Sequence, residues 1–245
     1  MLVAARSKFI SIALILLSLG IAHESFGSIV HNTQYRYMRS EVYVAPPESG
    51  MIEENAEVVA FDFGPFSNVA SVTMSNDGGS ASANSDQNST LGSSLIDATG
   101  SADASMFAEA FVEDEYGFGE THFEVEFEVL VAGDFQFDAL ALSSGSNFYS
   151  TDSYVIFKDL NGPMSFFVSA NDPATSTLLS LPAGDYAIIA HSRVDVISNF
   201  DPEMQTSNAS ASFSVSLQAV PEPGTLCILS IGFVAMFRRR NWFTR

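Results

Sequence analysis

Strict two-residue alternation constrains this chain more than any other feature. Residues 121–131 read THFEVEFEVLV, with Phe123, Val125, Phe127 and Val129 on one face and Glu124, Glu126 and Glu128 on the other. Successive side chains of an extended strand point to opposite faces. The run therefore fits a strand with one dry and one wet side, and not a helix, whose apolar residues would recur every three or four positions. Residues 209–219 are as regular: Ala209, Ala211, Phe213, Val215 and Leu217 alternate with Ser210, Ser212, Ser214, Ser216 and Gln218. Residues 185–198 set Tyr186, Ile188, Ala190, Ser192, Val194 and Val196 on one side. One-faced strands of this kind belong to antiparallel sheets.

Further strands are expected at 57–63, 70–74, 104–112, 135–142, 154–160, 165–169 and 176–181, with Tyr35, Tyr37 and Tyr43 marking an edge strand before the Pro46-Pro47 break. About nine or ten strands separated by turn residues predict an all-β, antiparallel β-sandwich, jelly-roll-like, as a single domain over 28–219. Ala132-Gly133-Asp134-Phe135 and Ala183-Gly184-Asp185-Tyr186 share an A-G-D-aromatic pattern before an alternating run. It reads as a strand-opening turn: glycine for the turn, Asp to close it, and the aromatic as the first buried residue. Residues 75–105 are dominated by Ser, Asn, Asp, Gly, Ala and Thr, and are expected to form a long surface loop, interrupted at most by a short strand.

Both ends differ from the middle. Arg6 and Lys8 precede the apolar run FISIALILLSL (9–19), and Gly20 and small residues up to Gly27 follow. This order predicts a signal peptide over 1–27, cut after Gly27 or, alternatively, after Ala22, by signal peptidase of the general secretion machinery. At the other end, Pro221-Glu222-Pro223-Gly224 breaks the chain. An apolar helix is expected over 225–237, and the basic cluster Arg238, Arg239, Arg240 follows. Such a cluster holds its end on the cytoplasmic side of a membrane. Cys227, the single cysteine, lies inside the apolar segment, so no disulfide framework is available.

This tripartite tail resembles the PEP-CTERM sorting signal of Gram-negative bacteria. The resemblance rests on Pro221, Glu222, Pro223, Gly224 and Arg238–Arg240 around the apolar segment, over 220–245. It implies processing by an exosortase, a membrane enzyme that recognises the Pro-Glu-Pro motif. The implied route passes through an inner-membrane intermediate to the cell envelope, cell surface or extracellular matrix. An ordinary C-terminal anchor without processing is the alternative. Neither reading says anything about the activity of the domain in front.

Charge narrows the activity. The whole chain carries −19, and the part between the two end segments keeps four basic residues against 27 acidic ones, a net charge of −23. Such a surface repels nucleic acids and anionic membranes. Glu124, Glu126 and Glu128 stand about 6.5–7 Å apart along one strand face, a spacing at which two carboxylates serve glycoside hydrolysis. Jelly-roll glucanases carry a Glu-x-Asp-x-Glu ladder; here the central residue is Glu126, and the sole tryptophan is Trp242 in the tail. A solvated strand face explains the three glutamates more simply.

Glu113, Asp114 and Glu115 offer hard oxygen donors for a structural calcium, with Asn76, Asp77, Asp86 and Glu120 as further donors in loops. No EF-hand spacing supports them, and solvated loop charge is the simpler reading. His31, His122 and His191 form no H-E-x-x-H array, no G-x-S-x-G elbow is present, and Gly117-Phe118-Gly119 precedes a strand rather than a helix. No cofactor is expected. Tyr35, Tyr37, Tyr43, Tyr116, Tyr149 and Tyr154 are candidates for contacts with an extracellular polysaccharide, most of the 21 phenylalanines serving the core. The expectation is thus a non-enzymatic structural or adhesive protein, the alternative a carbohydrate-binding module or glycoside hydrolase built on Glu124, Glu126 and Glu128.

Overall fold

In a computed structural model, residues 28–44, 52–76, 79–109, 115–146, 149–198 and 203–221 are described. They form twelve strands: β1 (Ile29–Val44), β2 (Ile52–Ala60), β3 (Phe66–Asn76), β4 (Gly79–Leu91), β5 (Leu95–Ala108), β6 (Tyr116–Val129), β7 (Gly133–Ser146), β8 (Tyr149–Asp159), β9 (Ser165–Ser169), β10 (Thr175–Leu181), β11 (Gly184–Ile197) and β12 (Gln205–Ala219). Every pairing is antiparallel. One sheet has the order β2-β1-β6-β11-β8-β9 and the other β10-β7-β12-β5-β4-β3. Among the described residues no helix is long and apolar enough to cross a membrane. The expected signal peptide and C-terminal helix lie outside the described residues.

The last eight strands pair in nested fashion: β8 with β9, β7 with β10, β6 with β11 and β5 with β12. This is one long hairpin rolled on itself, the winding of a jelly roll. Strands β1 and β2 extend one sheet beyond β6, and β3 and β4 extend the other beyond β5. The expected sandwich is present.

Register explains the layers. In β6 the odd-numbered Phe123, Val125, Phe127 and Val129 are fully buried, while Glu124, Glu126 and Glu128 face outward. The core has two chemically different halves. One holds Phe123, Phe127, Phe135, Phe137, Phe157 and Tyr186 with Ile and Leu side chains, and lies toward the end where residues 28 and 221 sit. The other, toward the opposite end, is built from valines with Ala81, Ala83, Ala102, Ala104, Ala209 and Ala211. Small side chains let the two sheets approach. A Cβ on Gly119 would lie 3.2 Å from the carbonyl oxygens of both Asn84 and Asp103.

Between the halves, buried hydroxyls and amides bond to backbone. Ser153 donates to the Ser212 carbonyl at 2.8 Å, Ser40 to that of Ala70 at 2.9 Å, and Gln87 to that of His122 at 3.0 Å. Each bond satisfies a polar group that burial would otherwise penalise.

Two expectations are corrected. The segment 75–105 is no surface loop: it contributes to β3 and supplies all of β4 and most of β5, each of the latter paired on both sides. Its composition seemed too polar to order. Yet its inward positions are Ala81, Ala83, Ser85, Ile96, Ala98, Ala102 and Ala104, all buried, and small residues suffice where the opposite sheet comes close. The tyrosine-bearing strand β1 is likewise not an edge, because β2 and β6 flank it. The two A-G-D turns do open strands β7 and β11, and their aromatics Phe135 and Tyr186 are buried. Their aspartates bond across the sheet, Asp134 accepting from Ser180 and Asp185 from Asn161 at 3.1 Å.

Candidate functional site

The outward face of the sheet β2-β1-β6-β11-β8-β9 carries the most chemistry. Register places Tyr35 opposite Glu124, Tyr37 opposite His122, His191 opposite His122, and Tyr154 opposite His191. The side chains meet as a row running across the strands. Phe61, just past β2, contacts Tyr35 at 5.7 Å between ring centroids, and Tyr35 contacts His122 at 5.7 Å. His122 meets His191 edge-on at 5.8 Å, His191 stacks on Tyr154 at 5.2 Å, and Tyr154 stacks on Phe167 of β9 at 5.9 Å. Tyr37 joins from the side, 6.1 Å from Tyr35. Six rings thus span the whole width of the sheet. The terminal rings are the most open, Phe61 at 70 % exposure and Phe167 at 61 %.

Packing inside the row sets the state of its middle. Burial, reinforced by His122 beside it, lowers the His191 imidazole to a pKa of about 4, so it is neutral at pH 7. Burial also raises the Tyr154 and Tyr35 phenols, so both keep their protons as hydrogen-bond donors. Next to the row, Arg39 of β1 and Arg193 of β11, from the two strands flanking β6, lie 5.6 and 5.0 Å from the ring centroid of Phe118 on the outer face. Arg39 pairs with Glu41, and Arg193 with Asp195 at 2.9 Å. These two cations are therefore engaged within the protein.

The three glutamates of β6 do sit together on this face. Glu124 lies 3.4 Å from His122, and Glu126 accepts from the Thr33 hydroxyl at 2.9 Å. A hollow of about 500 Å³ lies on the other sheet instead, lined by Ser71, Thr73, Ser82, Asn84, Asp103 and Ser210 among others. The strands of that second sheet carry no lysine or arginine.

Glu115 contradicts its reading as solvated loop charge. Its side chain is fully buried, neither carboxylate oxygen has a hydrogen-bond partner, and burial pushes its pKa up to about 7, with Glu109 adding to the rise. Glu113 and Asp114 lie outside the described residues. Among the described residues no three His, Cys, Asp or Glu side chains are grouped to hold a metal ion.

Of the six tyrosines singled out in the sequence, Tyr35 and Tyr154 belong to the six-ring row and Tyr37 flanks it. Tyr43 and Tyr116 face each other farther along the same two strands. His122 and His191 do lie on the outer face as expected, but as members of the row. Phe61 and Phe167 went unrecognised, because nothing in a linear pattern says which residues of different strands become neighbours.

Strand β12 ends at Ala219, which is still paired with Phe135, and Pro221 is exposed just beyond it. Sequence comparison decides what begins there. The chain carries a PEP-CTERM protein-sorting motif. The match covers residues 219–240, so it starts on the last residue of β12. Glu222, Pro223, Gly224 and Arg238–Arg240 of the PEP-CTERM segment lie outside the described residues. The motif points to export with exosortase processing, toward the cell envelope by way of a membrane intermediate. No curated protein matches this chain.

Proposed function

We propose that the exported sandwich is a non-enzymatic structural or adhesive component of the cell surface or extracellular matrix, and that it holds polysaccharide on the outer face of the β1-containing sheet. The six-ring row supports this reading. Its rings lean on one another, so they offer rims rather than broad faces: phenol hydroxyls and the His122 imidazole, with Glu120, Glu124 and Glu126 between them. Sugar hydroxyls find donors and acceptors there, and their C–H edges find apolar surface on Phe61 and Phe167. Two of the domain's four basic residues are tied up at Phe118, and the net charge is strongly negative. The fitting polymer is therefore uncharged or amine-bearing, not anionic.

Retention of the exported protein on insoluble neutral and amino-sugar polysaccharides tests the proposal. Tyr35→Ala and Tyr154→Ala should abolish retention, whereas Glu124→Gln and Glu126→Gln should weaken it without producing or removing hydrolysis. Release of soluble sugar by the wild type, lost in Glu124→Gln, would replace this reading with a glycoside hydrolase. Retention equal in the wild type and both tyrosine variants would remove the row from any role.

A further inference from the structure

Both ends of the described chain lie at one end of the sandwich. The Ile29 N–H donates to the Ser93 carbonyl at 2.8 Å, and the Leu130 N–H to that of Ser28 at 3.0 Å. The Ala219 N–H donates to Ser94 at 2.9 Å, and the Val220 N–H to Asp134 at 2.8 Å. Residue 28 follows the expected signal peptide and residue 221 opens the Pro-Glu-Pro segment, so the described chain is hydrogen-bonded into the sandwich to within a residue or two of both expected terminal segments. Five residues, 220–224, separate the last paired residue from the apolar stretch that starts at Thr225. Fully extended, they reach at most about 20 Å. Part of that length is taken up by the lipid headgroup layer, which is roughly 5–7 Å thick on each side of a bilayer.

We infer that this end of the sandwich rests on the lipid headgroups of the membrane while the precursor is tethered by its tail. The inference depends on the reading of the tail as membrane-inserted. The surface consists of the turns after β4, β6, β8 and β10. Leu130 and Val131 crown the β6–β7 turn at 47 % and 49 % exposure, and Leu160 opens the β8–β9 turn beside Asp185. Of the acidic residues at this end, Asp134 accepts from Ser180, Asp159 from the Asn161 N–H at 2.9 Å, and Asp185, opposite Glu128, from the Asn161 side chain; this acidic rim fits zwitterionic rather than anionic headgroups. Exposed apolar side chains alone do not choose this end, since Ile197 and Tyr149 at the far end are as open. The tether chooses it. A short linker holds a weakly lipid-binding surface at a local concentration that makes contact the rule.

The full precursor, with Cys227→Ser and one new cysteine carrying an environment-sensitive dye, is reconstituted in phosphatidylcholine vesicles containing a headgroup quencher. The dye stands at Leu130→Cys or, for comparison, at Ile197→Cys. Trp242, the sole tryptophan, reports independently on the tail. The inference requires a blue-shifted Trp242 together with quenching at position 130 and none at 197. A blue-shifted Trp242 with equal dye signals at 130 and 197 overturns the inference and leaves the inserted tail standing. An unshifted Trp242 overturns the inserted tail, and the inference with it.

Discussion

His191 and Tyr154 stack at 5.2 Å between ring centroids, with planes 28° apart, at the centre of the ring row. The contact joins β11 to β8 on the outer face and helps to bury the imidazole, which burial, His122 and Arg193 all keep neutral.

Because its pKa of about 4 lies below the ordinary 6.5, His191 adds stability that is complete above pH 6.5 and is lost as pH falls toward 4. The difference corresponds to about 3 kcal/mol. Its C2 proton resonance should titrate near pH 4. A midpoint between 6 and 7, as for a free imidazole at about 6.5, would mean that the stack is open in solution.

Glu115 acts with the opposite sign. Its pKa of about 7 exceeds the ordinary 4.5, so the folded state holds a proton that the unfolded state has released. Stability is full below pH 4.5 and declines as pH rises to 7, again by about 3 kcal/mol. Glu115→Gln should raise the thermal midpoint at pH 7.5 and leave it nearly unchanged at pH 4. A variant no more stable than the wild type at pH 7.5 would refute the buried, protonated carboxyl.

Between pH 4.5 and 6.5 these two slopes oppose one another. His191→Phe should therefore expose a fall in stability with rising pH, and Glu115→Gln a fall with decreasing pH, each measured against the wild type by urea denaturation. Parallel pH profiles for all three proteins would contradict both assignments.

Sheet spacing can be probed at Gly100. A Cβ there would lie 2.6 Å from the Phe213 ring and 3.0 Å from Thr121 Cγ2. Gly100→Val should destabilise by roughly 1–3 kcal/mol or more through overpacking. At Gly92, where the nearest atom would be 3.5 Å away, Gly92→Ala should cost much less. Equal urea midpoints for the two variants would show that the sheets are not closely packed at Gly100.

The aromatic half of the core sets the scale of stability. Phe157 touches Phe127, Phe137, Phe166 and Tyr186, all within 6.5 Å between centroids. Phe157→Ala should cost about 3–5 kcal/mol. Measured unfolding that changes by less than 1 kcal/mol would place Phe157 outside the cooperative core.

Strands with large apolar residues on alternate positions, such as β6, β11 and β12, were legible because the dry face carries the period. Strands β4 and β5 were not. Their inward residues are mostly Ala, Ser and Gly, with Ile96 and Met106 the large exceptions, and look like loop composition until a second sheet is brought against them. The outer-face row illustrates the other limit. Tyr35, Tyr37 and Tyr154 are visible as candidates in one dimension, but their meeting with His122, His191, Phe61 and Phe167 is a product of strand register. Glu115 shows the same limit for charge: three acidic residues in succession suggest solvent, and only the packing shows that the last of them is enclosed.

The nested pairing also sets a clock. Strand β12 lies between β5 and β7, and β5 finds this partner only after about a hundred further residues have been made. A chain that crosses a membrane amino end first must wait, with its second sheet split down the middle, until the final strand emerges. The arrival of the address tag and the closing of the fold are then a single event.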